Sequence, residues 1–425
     1  MKKFFLFLVC GLLFLNGYSQ YGLAEPESDG AEVPAPCFMQ KLAPDGERGF
    51  VLKGEIANSK DGMKVWLLND MVWPAQKGDS SVIKNGKFEL SGYISKPLLV
   101  KVIIDSQDGK EEGLLGTAFY LENSDITYTG DVNTLESYYY NPDAKGKVKA
   151  VVSGSEEDRL YRQFQKEWAP VYARHQALNE KYGEIYFSDD YQTNKAKQQA
   201  ILPLTRQIME NDKAMKNIRL KYIKQYPKTG VAKEQLVWLI YQTQYIDFTA
   251  KQLEQVQKLM TDANPEEAAE YTKRFAQAKK TALGEQFIDL ELQTPDGKKA
   301  KISDFVGKGK YVLLDFWFSG CGPCRAEIPH VKQVYEKYKN KDFTILSIAA
   351  EPKMADWLKA LGEENMAWPQ LYDGQSPEVY DGPVCTTYNV GGFPTMILLD
   401  KEGRFFKNDV RGANLDITLQ ELFGE

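Results

Sequence analysis

The sequence predicts a multidomain chain. A small antiparallel β-sandwich-like domain comes first, an all-helical region follows, and a C-terminal α/β domain closes it. Three changes of texture carry this prediction. From Gly49 to about Thr134, short runs alternate apolar and polar residues between turn clusters. From 150 to 280, Lys, Glu, Gln and Ala dominate, and apolar residues recur at helical spacing. From 281 onward, apolar strand-like runs alternate with amphipathic helices. A chain of 425 residues accommodates two or three such units, and 43% hydrophobic residues suffice for packed cores. The net charge of −6 argues against a nucleic-acid partner without choosing a substrate.

The N-terminus reads as a secretory signal over 1–19. Met1-Lys2-Lys3 precedes an apolar run from Phe4 to Leu15, and the small residues Gly17 and Ser19 follow at peptidase spacing. The run is too short to span a bilayer as a mature helix. Cys10 lies within it after bulky Val9, which disfavours lipoprotein anchoring there. The expected location is therefore an oxidising exterior compartment, most simply a periplasm. Four cysteines, Cys37, Cys321, Cys324 and Cys385, survive signal removal. That is too few to staple a fold, so packing must hold the cores.

Residues 20–47, rich in Pro, Glu, Ala and Gly, read as a leader. The β domain is placed over 48–135, from runs such as FVLKGEI, MKVWLLN, GKFELSGYI and PLLVKVII. Asn85-Gly86 between two such runs is a hairpin signal. In the helical region, 150–280, Ser155 and Asp158 have the spacing of a capping box, with Leu160, Phe164 and Trp168 following on one face. Ile201 to Ile223 forms another amphipathic stretch, expected to break or kink at Pro203. Asn264-Pro265-Glu266-Glu267 reads as an N-cap with Pro at the first helical position. Four or five helices are expected, their aromatic stripe serving as core.

The last region, 281–425, centres on YVLLDFWFSGCGPCR, Tyr311 to Arg325. Tyr311 to Phe318 has the pattern of a buried strand, and Arg325 to Lys339 that of a helix with Ile328, Val331, Val334 and Tyr338 on one face. Cys321-Gly322-Pro323-Cys324 sits where strand hands over to helix. The first turn of a helix offers unpaired N–H groups and a partial positive charge, which stabilise a thiolate at Cys321. Pro323 has no N–H to waste and a pre-set φ. Cys324 is near enough to close a disulfide, so the pair can cycle between dithiol and disulfide. Zinc needs four ligands, but the chain has only two histidines, His175 and His330, and no second Cys-x-x-Cys. A purely structural bridge gains little from so short a loop. Neither metal nor cofactor is expected beyond the redox disulfide. Asp315, six residues before Cys321 inside an apolar strand, is a candidate proton carrier: burial raises such a carboxyl toward neutrality.

Strand, DFW, C-G-P-C and helix together resemble the thioredoxin superfamily. The run from Gly284 to Gly412 looks most like its TlpA/ResA-like branch of secreted thiol–disulfide oxidoreductases. The β domain resembles the uncharacterised domain that often precedes thioredoxin domains in such proteins. The resemblance implies that Asp315 deprotonates Cys324 through water, that Glu351 is a second acid near the cysteines, and that Pro394 is a cis-proline. It implies that Pro394 keeps metal off the thiols and leaves the Phe393 backbone free to pair with substrate. Trp317, Gly320 and Phe393 are the expected substrate groove. Two departures stand out: Gly320 occupies the position usually held by Trp, and bulky Phe393 precedes the proline.

Gly382 to Thr387 around Cys385 superficially suggests a peroxidatic loop, but Gly382 and Glu378 stand where that pattern requires Thr or Ser and Pro. Whether Cys385 pairs with Cys37 is open. The leading expectation is an oxidoreductase that exchanges disulfides with envelope proteins through the Cys-Gly-Pro-Cys pair, as a reductase; the resemblance implies that a membrane electron-relay partner re-reduces it. The rival is an envelope ligand- or partner-binding protein in which the redox domain is accessory. Direction of electron flow depends on reduction potential and stays open.

Overall fold

A computed structural model describes residues 38–69, 75–106, 113–138, 147–241, 246–374 and 378–424. The expected signal, most of the leader, Cys10 and Cys37 lie outside the described residues, so the open question of whether Cys385 pairs with Cys37 falls outside them too. Internal contacts divide the chain into two units, 38–169 with 229–231, and 170–228 with 232–424. The division falls within one long helix, at Pro170.

In the first unit the strands are β1 (Phe50–Ala57), β2 (Lys64–Asn69), β3 (Gln76–Val82), β4 (Lys87–Gly92), β5 (Leu98–Asp105), β6 (Leu114–Leu121), β7 (Asp125–Asp131) and β8 (Val151–Ser153). They form two four-stranded sheets, ordered β4-β1-β7-β8 and β3-β2-β5-β6. Alternation along β1 and β4 sends Phe50, Leu52, Phe88 and Leu90 into a core shared with Val65, Leu67, Val102 and Phe119. One expectation needs correction: β1 and β7 pair in parallel. Alternation specifies which face is buried, not which way the neighbour runs, and these two strands are joined through the other sheet. Val151–Ser153, in the stretch read as helical, is a strand on β7.

Five α-helices follow: α1 (Glu156–Tyr186), α2 (Lys195–Gln225), α3 (Gly230–Tyr241), α4 (Ala250–Ala263) and α5 (Ala268–Lys279). Only half of the expected capping box forms. Ser155 Oγ accepts the Asp158 N–H at 2.9 Å, but the Asp158 carboxylate accepts from the Tyr120 N–H and from Arg162. Pro203 does not break α2. Ile201 is fully buried two residues before it, and the Thr205 hydroxyl donates to the Ile201 carbonyl at 2.8 Å, so packing carries the helix past the missing bond. Asn264 does not cap the helix after it; its side-chain amide donates back to the Pro227 and Met260 carbonyls, 3.0 Å each. Ile223, Leu236, Phe248, Leu253, Met260 and Phe275 form the core of this part.

The remaining strands are β9 (Glu291–Gln293), β10 (Lys299–Lys301), β11 (Tyr311–Trp317), β12 (Phe343–Ala349), β13 (Gln370–Tyr372), β14 (Thr395–Leu399) and β15 (Phe405–Lys407). The helices are α6 (Gly322–Tyr338), α7 (Met354–Glu364), α8 (Pro383–Tyr388) and α9 (Ala413–Phe423). The strands form one seven-stranded mixed sheet, β10-β9-β13-β12-β11-β14-β15. β11 lies inside it, parallel to β12 and antiparallel to β14. Its side chains alternate between two buried faces, as successive residues of a strand must. Val312, Leu314 and Phe316 join one core with Val384 and Tyr388. Leu313 joins another with Val331, Val334 and Tyr338 of α6. Asp315 and Trp317 share the face of Leu313, so the strand period places Asp315 on the side of the sheet that α6 covers.

Candidate functional site

The end of β11 delivers Cys321 to the N-cap of α6, and the helix begins at Gly322, three residues earlier than the apolar spacing suggests. Cys321 and Cys324 are joined as a disulfide, with Cα atoms 5.3 Å apart. The Cys324 N–H donates to Cys321 Sγ at 3.1 Å. The sulfur therefore sits where a capping oxygen usually does and takes one of the helix's orphan donors.

The two sulfurs are covered. Cys321 is 4% exposed and Cys324 3%. They pack with Trp317, Ala349, Trp357 and Tyr372, and Phe318 and Phe393 lean on the same cluster. Phe318 and Phe393 meet edge to face at 5.4 Å, and Tyr380 lies against Phe393 at 5.3 Å. Gly320, Gly322 and Pro323 around Cys321 are exposed. A Cβ on Gly322 would meet no heavy atom within 4 Å. Exposed backbone thus flanks a sheltered sulfur. Trp317 does not line a groove: at 1% exposed it is core, because β11 is covered on both faces up to its last residue. Gly320 and Phe393 do lie at the surface rim, and the Phe393–Pro394 peptide is cis.

Asp315 is buried, with Ser347 beside it on β12 and Met396 on β14 as register partners. Burial pushes its carboxyl up from 3.8 to about 7; the Ser347 bond draws it back and Glu327 adds to the rise. Ser347 Oγ donates to Asp315 Oδ2 at 2.7 Å and accepts the Trp368 indole N–H at 2.8 Å. Glu351, just past β12, is also buried and raised by burial. Ser319 opposes that rise, donating to Glu351 from its N–H at 3.1 Å and its hydroxyl at 2.5 Å. Glu351 is thus tied to the loop two residues before Cys321.

Sequence reasoning missed Ser319, Ser347, Trp368 and a buried network behind α6. Ser347 carried a visible signal, being a polar residue between Leu346 and Ile348 in FTILSIA, as Asp315 is between Leu314 and Phe316 in YVLLDFW. In the network, Glu327 accepts from the Tyr186 hydroxyl and the Gly412 N–H, both at 2.7 Å. His330 Nε2 is 3.0 Å from Asp416 and Nδ1 3.4 Å from Glu327. Burial alone would lower His330, but Asp416 and Glu327 outweigh it and hold the ring protonated; burial alone would raise Glu327, but His330, Tyr186 and Gly412 hold it ionised. Among the described residues Cys385 has no disulfide partner; it is buried, its Sγ 3.6 Å from the Val379 carbonyl. Burial and two nearby aspartates push it up to about 12, the opposite of an activated nucleophile. Among the described residues no cluster of three or more His, Cys, Asp or Glu is placed to hold a metal.

Residues 50–161 match a domain of unknown function (DUF4369), and 283–405 match the AhpC/TSA family. The thiol-disulfide oxidoreductase ResA of Bacillus cereus is 30% identical over 153 residues, 36% of this chain and 82% of that protein. ResA of Geobacillus kaustophilus is 33% identical over 135 residues, 31% of this chain and 72% of that protein. Among solved structures, the thioredoxin domain of a thiol-disulfide oxidoreductase from Bacteroides vulgatus is 33% identical, covering 33% of this chain and 97% of that one, with a TM-score of 0.30. With these relatives, a thioredoxin-fold C-terminal domain and a DUF4369 domain before it, the chain belongs to the ResA/TlpA-like thiol–disulfide oxidoreductases of the thioredoxin superfamily.

Proposed function

We propose that this enzyme reduces disulfides in proteins of the cell envelope through Cys321 and Cys324. The observation that carries the proposal is Cys321 at the N-cap of α6, accepting the Cys324 N–H and bonded to Cys324. In the reduced enzyme that N–H and the helix terminus favour the Cys321 thiolate. The thiolate attacks one sulfur of a client disulfide, forms a mixed disulfide and expels the other client sulfur as thiolate. Cys324 then passes its proton to Asp315 and attacks Cys321 Sγ. The client's second thiolate leaves, two electrons have moved to the client, and the enzyme disulfide is closed. Approach is over exposed Gly322, where a Cβ would meet no heavy atom within 4 Å, with Gly320 and the Phe318 ring beside it. Glu351 assists proton traffic, and the backbone at Phe393, before Pro394, aligns the client strand.

The location follows from the signal expected over 1–19. Among the described residues no helix is long and apolar enough to cross a membrane. An envelope enzyme working as a reductase needs a dithiol donor to reopen its disulfide, and a membrane electron-relay protein supplies that chemistry. An insulin-reduction assay with dithiothreitol, paired with alkylation mass spectrometry across a redox titration, tests the proposal. Turnover is expected, with one cycling pair, and Cys321→Ser should abolish it. A pair that resists reduction, or turnover surviving in Cys321→Ser, overturns it; the first result favours a partner-binding role for the chain.

A further inference from the structure

We propose that Ser347 and Trp368 are positioning residues that confine the exchangeable proton of Asp315 to its Oδ1 atom. The proposal rests on the reading of Asp315 as the acid that serves Cys324. It follows from the polarity of two hydrogen bonds. An indole N–H can only donate, so at 2.8 Å Ser347 Oγ is the acceptor for Trp368 Nε1. The serine hydroxyl has one hydrogen, and at 2.7 Å it goes to Asp315 Oδ2. Were the carboxyl proton on Oδ2, it would compete with that hydrogen for the same line of approach. The serine hydrogen would then lose the acceptor it has among the described residues. A lost partner at a buried site is costly, so Oδ2 stays an acceptor in both protonation states. Oδ1 is left to take up and release the proton.

The fold makes this arrangement stiff. Asp315 and Ser347 are register partners on adjacent parallel strands. Ser347 is fully buried and Trp368 nearly so. Trp368 packs with Leu313, Val331 and Met396, and Tyr335 lies against it at 5.3 Å. Around Asp315, β12 presents Ser347, β14 presents Met396, and α6 presents Glu327, the ionised group that acts on it. The Ser347 bond therefore works against both burial and Glu327 to keep the ionised carboxylate within reach near neutral pH.

The test follows the carboxyl stretch of Asp315 by infrared difference spectroscopy as a function of pH, on the full chain. The band is assigned by its loss in Asp315→Asn. Ser347→Ala removes the donor and should move the Asp315 midpoint upward by about one to two pH units. It should also move the pH dependence of mixed-disulfide resolution by the same amount. Trp368→Phe keeps a ring but frees Ser347 to turn, and should move the midpoint in the same direction by a smaller amount. If Ser347→Ala fails to fold, Trp368→Phe decides alone. An unchanged midpoint in the folded variants overturns the proposal. If Asp315→Asn resolves the mixed disulfide as fast as wild type, the reading of Asp315 itself fails, a result separable from the first.

Discussion

Replacing Asp315 with asparagine should stabilise the protein, and increasingly so as pH rises. Burial lifts the folded-state carboxyl from 3.8 to about 7, against the Ser347 bond and with help from Glu327. In the unfolded chain the same group titrates near ~3.9. Between these values the unfolded state has lost its proton and the folded state still holds it. Stability therefore falls as pH rises through that window and levels off above about 7. At about 1.4 kcal/mol per pH unit, the full loss is roughly 4 kcal/mol, of which about 1.5 kcal/mol is already incurred by pH 5. Asparagine has nearly the same shape, carries no charge and keeps an oxygen for Ser347. Any cost of its amide N–H groups is the same at every pH, so slope rather than offset is decisive. Urea unfolding followed by tryptophan fluorescence should show the variant gaining roughly 3 kcal/mol on wild type between pH 5 and pH 8.5. A difference that stays flat across this range would mean Asp315 titrates like an ordinary surface carboxyl, and the proton-carrier role would lose its basis.

Three further outcomes are expected. Ser319→Ala removes one of the two bonds that oppose the rise of Glu351; a carboxyl raised further costs more stability toward alkaline pH, so the variant should lose about 1 kcal/mol more than wild type between pH 5 and pH 8 in urea unfolding. Gly412 has φ of +54°, and a Cβ there would collide with the Tyr182 hydroxyl. Gly412→Ala should therefore lower stability by about 2 kcal/mol or more by denaturant midpoint, whereas an exposed-glycine control such as Gly322→Ala should not. Cys385, pushed up to about 12, should stay unalkylated by iodoacetamide at pH 8 in the native protein and react fully in urea, as read by peptide mapping.

The Cys321–Cys324 disulfide was legible because its elements are compressed into a short span. Cys321 and Cys324 bracket the first turn of one helix, and Asp315 is conspicuous as a charge in an apolar strand. The strand period even specified which face Asp315 would take once the face of the helix was known. What stayed hidden depends on pairing between distant segments. Ser347 meets Asp315 only because β11 and β12 are neighbours in register, and Trp368 joins them from the lead-in to β13. Trp317 was misassigned because DFW marks the end of a strand but not how thickly that end is covered. The parallel β1–β7 pair was missed for a related reason: hydrophobic alternation is the same read in either direction.

The network behind α6 bears on how the enzyme can be cut down for study. Glu327 is held by Tyr186 from α1, and Asp416 from α9 supports His330. Both partners lie outside the segment that matches AhpC/TSA, 283–405. A fragment trimmed to that segment would strand an acid and a base on the rear of the very helix that carries the cysteines, each deprived of a neighbour that offsets its desolvation. Excision boundaries for a minimal soluble domain belong upstream of Tyr182 and beyond Asp416.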